Sequence, residues 1–272
     1  MSDILQKILN HKKKELALSS QTVPLPELQQ RVIGLPKCRN FYRALTKKNQ
    51  RGINVIAEIK RASPSAGLIR EDFDPVELAH TYNSCGADAL SILTDEHFFQ
   101  GHLDYITQVK EVVSLPILRK DFIIDPYQIY EARAAGADAV LLIAEALDPA
   151  HLMDLMILAN SLTMTVLLEV HDLDMLLRVR SMIGFPLEHY SLLGINNRNL
   201  KTMEVDLANS LRMIEFVEDN QPLISESGIH NRCDVEQLIK AGFSGILIGE
   251  ALMRSPDIAS RYAELFNPQG QN

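Results

Sequence analysis

Six short apolar runs of the sequence end in side chains of the kinds that move protons or hold anions. Glu58 and Lys60 close the run 53–59, Lys120 lies near the end of 115–121, and Glu169 closes 165–170. Asn196 ends 191–196 with Arg198 just beyond, Glu226 and Ser227 end 221–227, and Gly249 and Glu250 end 245–250. Carboxylates beside ammonium groups supply both halves of general acid–base catalysis, worth about 10²–10⁴ in rate. Side chains alternate along a strand, so Glu58 and Lys60 point one way and Ile59 the other. One such pair fits a structural ion pair equally well. Lys60 and Lys120 converging with Glu58, Glu169 and Glu226 from different strands point to function, because burying each charge costs several kcal/mol unless it is paired.

The glycines after the last two runs suggest an anion site. Gly228 and Gly249 let backbone N–H groups approach a ligand closely, and Asn231 can cap the helix that follows. Ser63, within Ser63-Pro64-Ser65-Ala66-Gly67, can add a hydroxyl or N–H, or the segment can serve as a lid. Positive charge must be gathered locally for such a ligand, since 27 Lys+Arg against 35 Asp+Glu give a net charge of −8. That balance also argues against a nucleic-acid binder, which needs surplus Lys and Arg. His97, His102, His171 and His230 have no metal-like neighbours and read as surface or capping residues. Met153, Met156, Met164 and Met175 read as core fillers, and Lys12-Lys13-Lys14 as a solvated helix face.

The elements that must position these residues are legible as well. Runs 53–59, 89–95, 115–121, 138–144, 165–170, 191–196, 221–227 and 245–250 are apolar without strict alternation, as in parallel strands covered on both faces. A helix fits between each pair, which predicts an α/β fold, a closed (β/α)8 barrel. The phrases Cys85-Gly86-Ala87-Asp88-Ala89-Leu90, Ala135-Gly136-Ala137-Asp138-Ala139-Val140 and Ala241-Gly242-Phe243-Ser244-Gly245-Ile246 repeat one helix stop followed by a strand. Their intervals fit βα units of roughly 25–27 residues. A doubly wound open sheet is the competing fold, but no G-x-G-x-x-G follows any strand. The expected organisation is one barrel domain over 1–272, with 51–272 as the barrel and 1–50 as a helical extension. That extension holds an amphipathic helix over 2–20, capped by Ser2 or Asp3, and a short helix around Phe41–Leu45.

Hydrophobic residues at 46% and charged ones at 23% fit a globular protein and exclude a disordered or disulfide-dense one. Cys38, Cys85 and Cys233 lie far apart without a CxxC pair, as expected of reduced thiols in a cytoplasmic protein. The N-terminus lacks the features of a signal peptide, and no apolar run reaches the roughly 18–20 residues of a membrane span. The chain is expected to be soluble and to act away from membranes and nucleic acid. Protein partners are not readable.

Five motifs in order, 57–65 (AEIKRASPS), 118–122 (LRKDF), 168–171 (LEVH), 194–200 (GINNRNL) and 225–229 (SESGI), resemble the indole-3-glycerol phosphate synthase family. The resemblance runs over essentially the whole chain. It implies a (β/α)8 barrel with an extra N-terminal helical segment and a role in tryptophan biosynthesis. The implied reaction converts 1-(2-carboxyphenylamino)-1-deoxyribulose 5-phosphate, a small-molecule substrate, to indole-3-glycerol phosphate, carbon dioxide and water, with no metal or organic cofactor. By similarity, Lys120 and Glu169 are the principal acid and base, with Glu58 and Lys60 beside them. Asn196 and Arg198 would orient the anthranilate part, and Glu226 and Ser227 would line the same pocket. Ser63, Gly228, Gly249 and the Glu250 backbone would cradle the phosphate. Two positions depart from the family's habit: Ala66, often Lys, and Glu250, often Ser, whose side chain must turn away from the phosphate. A Schiff-base aldolase using Lys120, a phosphoribosylanthranilate isomerase and a catalytically dead barrel are the rivals. The isomerase would show a Cys and an Asp at strand ends, and the dead barrel would have lost the polar groups that are present here.

Overall fold

A computed structural model describes residues 3–217 and 221–267. Three helices come first, α1 (Asp3–Thr22), α2 (Leu25–Val32) and α3 (Phe41–Thr46). Eight parallel strands follow among the described residues: β1 (Asn54–Ile59), β2 (Ala89–Leu93), β3 (Ile117–Lys120), β4 (Ala139–Ile143), β5 (Thr165–Val170), β6 (Ser191–Asn196), β7 (Leu223–Glu226) and β8 (Gly245–Ile248). Each strand pairs with its sequence neighbours, and β1 pairs with β8, which closes the barrel. All eight predicted runs are strands. Several strands are shorter than their runs, because the polar tail of the run, such as Asp121 or Ser227, already lies in the loop beyond.

Alternation divides the strand residues between two cores. Val55, Ala57 and Ile59 of β1 join the layer under the surrounding helices, as do Val166, Leu168 and Val170 of β5. Ile56, Leu118, Leu141, Leu167, Leu192, Ile224 and Leu247 point inward and fill the barrel. The same parity turns Glu58 and Glu169 inward, at the carboxyl ends. At the opposite end the barrel is plugged by Phe41 and Leu45 of α3, both 0% exposed. Each of the three repeated phrases ends a helix on a left-handed glycine, Gly86 (φ 85°), Gly136 (φ 98°) and Gly242 (φ 94°). The aspartates of the first two phrases then brace neighbouring strands: Asp88 accepts from Val55 N–H and Asp138 from Ile117 N–H, both at 2.9 Å.

The N-terminal segment departs from one expectation. Lys13 and Lys14 are exposed, but Lys12 is buried. Its ammonium lies 3.0 Å from both Asp95 and Asp121 and 2.5 Å from Glu15. α1 buries Leu5, Ile8 and Leu9, and the same docking puts Lys12 over two carboxylates. Asp121 also pairs with Arg119 and accepts from the Thr94 hydroxyl, and the Arg119 and Lys12 cations with that hydrogen bond keep its carboxyl at about 2 against the effect of its burial. The cap expected from Ser2 or the Asp3 side chain lies outside the described residues. Met156 and Met164 are fully buried and Met175 packs on the core, as expected of fillers. Cys38, Cys85 and Cys233 are free thiols. Among the described residues no helix is long and apolar enough to cross a membrane.

Candidate active site

The carboxyl ends of the strands open into a cavity of about 750 Å³ that all twelve expected site residues line. Glu58 and Lys60 meet at its edge, Nζ to Oε2 at 2.5 Å, as their two-residue spacing predicts. Across the mouth, Lys120 Nζ lies 3.0 Å from Glu169 Oε2 and 3.5 Å from Glu226 Oε2. Glu58, Glu169 and Glu226 are 5%, 2% and 1% exposed, so each carboxyl has lost its hydration. Strand register brings them together: Glu169 sits beside Gly194, and Glu226 lies between Asn196 and Leu247.

Two glycines make room for this cluster. A Cβ on Gly194 would fall 2.3 Å from Glu226 Oε1, and one on Gly249 would fall 2.3 Å from Glu58 Oε2. Both distances are well inside contact range, so these strand-end positions exclude any side chain while the carboxyl groups stay in place. Gly249, expected as an anion contact, therefore has a steric role as well.

The buried charges are strongly coupled. Burial works against the Lys120 ammonium, but Glu169, Glu226 and Glu58 outweigh it and hold Lys120 protonated far above the ordinary lysine range. Burial likewise opposes ionisation of Glu169, and Lys120 and His171 override it, leaving Glu169 an anion. Glu226 goes the other way. Its burial and the adjacent Glu169 charge raise it well above the usual carboxylate range. Among the described residues neither Glu226 oxygen accepts a hydrogen bond of normal geometry. Two like carboxyls at one cation cannot both ionise at low cost, so the pair divides into an anion and an acid.

The loop after β6 forms the next wall. Arg198 N–H donates to Asn196 Oδ1 at 3.0 Å, and its guanidinium donates to Met203 O at 3.1 Å. Ser227 (φ 67°) and Gly228 (φ 75°) follow β7 in left-handed geometry. Such geometry costs a non-glycine residue about 1 kcal/mol or more. Asn197, buried beside them, holds the turn: its Nδ2 donates to Ser227 O and Ser225 Oγ, both at 3.0 Å, while its Oδ1 accepts from Ser210 N–H at 2.9 Å. Asn231 caps the helix Arg232–Ala241 as predicted, reciprocally with Asp234. Ser63 lies at the start of a short hairpin, Ala62–Ser63 against Gly67–Leu68, that borders the cavity. The Glu250 carboxylate is taken up by Arg254 Nε at 2.9 Å and lies 3.9 Å from Arg198. Its burial opposes ionisation, and Arg254 more than compensates, so its pKa is lowered.

The structure corrects one reading and adds residues. His171 is not a surface histidine: its side chain is 6% exposed and sits between Glu145 and Glu169. The parity that pairs Glu58 with Lys60 also turns His171 to the side of Glu169, a signal present in the sequence. Arg254 is reached from Glu250 by one helical turn. Ile4, Leu5 and Ile8 of α1, with Phe99 and Phe122, give the cavity an apolar wall, which no local pattern announces. Among the described residues no group of three His, Cys, Asp or Glu side chains is arranged to hold a metal ion.

The sequence profile of indole-3-glycerol phosphate synthase matches residues 5–265. The chain belongs to the indole-3-glycerol phosphate synthase family. Two relatives of that name, from Rhodopirellula baltica and Albidiferax ferrireducens, are each 47% identical to it. The first aligns over 94% of this chain and 95% of its own, the second over 98% and 99%. Among solved structures, the barrel is similar to 3-hexulose-6-phosphate synthase from Salmonella typhimurium (TM-score 0.61, 14% identity, 78% of this chain and 96% of that one). It is also similar to a mutant tryptophan synthase alpha-subunit from Pyrococcus furiosus (TM-score 0.58, 12% identity, 78% and 97%). At these identities the likeness is one of fold.

Proposed function

We propose that the twelve cavity residues carry out the ring closure, decarboxylation and dehydration of the family's reaction, with Lys120 and Glu169 at its centre. The observation that carries this reading is the Lys120–Glu169–Glu226 cluster, in which one buried ammonium lies 3.0 and 3.5 Å from two carboxyls that their surroundings push toward opposite ionisation. Attack of the aromatic carbon on the substrate ketone puts negative charge on the carbonyl oxygen. Lys120 donates a proton there, giving a hydroxyl. Loss of carbon dioxide returns the C–C bond pair to the ring, and Glu226, the neutral acid beside Lys120, gives Lys120 back the proton it lost. In the dehydration, the hydroxyl leaves as water with a proton from an acid of the cluster, while Glu169, already an anion, accepts the ring-carbon proton.

The remaining residues orient the substrate. Asn196 and Arg198 face the anthranilate part, Phe99 and Phe122 give its ring an apolar wall, and Ser63 with the backbone at Gly228, Gly249 and Glu250 receives the phosphate. Glu58 and Lys60 complete the charged rim. A Schiff-base aldolase is disfavoured by the same cluster, because imine formation needs a neutral amine, and the Glu169 anion, with Glu58, keeps Lys120 charged.

Fluorescence detection of indole formation from the carboxyphenylamino-deoxyribulose phosphate tests the activity, and single-turnover assays of Lys120→Met and Glu169→Gln test the assignment. Each variant is expected to lose about 10²-fold or more in turnover. Near-normal turnover in both would overturn it.

A further inference from the structure

His171 is a titratable side chain buried against the cluster that the proposed mechanism leaves unused. It follows β5 two residues after Glu169, and both ring nitrogens face carboxylates. Nε2 is 3.3 Å from Glu169 Oε1, on the opposite side of that carboxyl from Lys120, and Nδ1 is 3.1 Å from Glu145 Oε2. Glu145 belongs to a one-turn 3-10 helix, Ala144–Ala146, after β4, and its Oε1 also accepts the His171 backbone N–H at 2.8 Å. The His171 carbonyl in turn accepts from Asn209 Nδ2 at 3.1 Å. Backbone and ring are therefore both fixed. Nδ1 donates to Glu145, and a second proton on Nε2 sets positive charge 3.3 Å from Glu169, so the two flanking carboxylates favour the imidazolium.

We propose that His171, clamped from behind by Glu145, is a positioning residue that sets a second positive charge against Glu169 and fixes the direction of its carboxylate. The inference rests on the reading of Glu169 as the base of the dehydration. The titratable and charged groups facing this pair are Lys120 from β3, the protonated Glu226 from β7 and Glu145 from the turn after β4, with Glu58 from β1 acting through Lys120. Burial favours a neutral His171, but Glu145 and Glu169 outweigh it and Lys120, raising its pKa. Without the imidazolium, Glu169 keeps one cation in place of two and binds a proton more readily. The acidic limb of activity then moves to higher pH.

The test compares pH profiles of kcat and KM for wild type, His171→Gln, Glu145→Gln and Glu169→Gln, with folding checked by circular dichroism. Glutamine at 171 keeps a donor but no charge. We expect its acidic limb to rise by about one pH unit, with a loss in kcat that deepens toward acid and a KM within about twofold of wild type. Glu145→Gln should shift the limb the same way by less, and it decides the matter if His171→Gln does not fold. A His171→Ala cavity should recover turnover with added imidazole in proportion to imidazolium. A His171→Gln or Glu145→Gln profile superimposable on wild type, alongside an inactive Glu169→Gln, overturns this inference alone. An active Glu169→Gln overturns both it and the reading beneath it.

Discussion

Glu169 and Glu226 face the same ammonium from neighbouring positions, yet the structure gives them opposite ionisation, and paired isosteric substitutions expose the difference. Glu169→Gln removes a charge lying 3.0 Å from Lys120, at a carboxyl 2% exposed. At an effective dielectric near 20, that attraction is about 5 kcal/mol. Subtracting the regained hydration cost of the lost anion leaves about 3–5 kcal/mol of destabilisation, the usual penalty for unpairing a buried ion. Glu226→Gln exchanges one neutral group for another of equal size and should cost about 1 kcal/mol or less at pH 7. The two also differ in pH dependence. Glu226 has a raised folded pKa, so the native state holds a proton that the unfolded chain releases above its ordinary 4.5. Wild-type stability therefore declines as pH rises from there toward the folded pKa, and Glu226→Gln, having no proton to release, should gain on wild type over the same interval. Glu169 has a depressed pKa, so its contribution is present above 4.5 and is lost as pH falls through the folded value. Urea midpoints at pH 5, 7 and 8 measure the first trend, and midpoints at pH 3 and 4 the second. Equal losses for the two variants at pH 7, or a Glu226→Gln deficit that grows with pH, would refute the division of charge.

Other consequences follow from packing. Gly249→Ala puts a methyl 2.3 Å from Glu58 Oε2, so Glu58 must leave Lys60. We expect about 1–3 kcal/mol of destabilisation by thermal melting together with reduced kcat. Lys12→Met strips the cation from buried Asp95 and one of the two cations from Asp121, and it should cost about 3–5 kcal/mol in urea denaturation. The same variant should raise KM, since α1 also lines the cavity. Ser227→Gly relieves a left-handed serine (φ 67°) and should stabilise the fold by about 1 kcal/mol in the same melts, at some cost in kcat.

Much of this was readable along the chain because its causes are local. The alternation that turns Glu58 and Lys60 to one side, the apolar texture of two-sided parallel strands and the glycine that ends a helix before Asp88 or Asp138 all act within a few residues. The same parity rule would have drawn His171 inward beside Glu169. Taken singly, the residue looked like a loop histidine, because its partner Glu145 arrives from a different βα unit. Lys12 misleads for a similar reason: next to two further lysines it resembles a solvated face, and the docking of α1 brings Asp95 and Asp121 to it. The sequence by itself therefore determined the strands, the barrel and which twelve residues would meet at its mouth. Tertiary structure decided their charge states, the space that Gly194 and Gly249 leave for carboxyl groups, and the plugging of the far end by Phe41 and Leu45. Strand parity depends on the period of the backbone, whereas desolvation and ion pairing depend on which distant groups the closed barrel presses together.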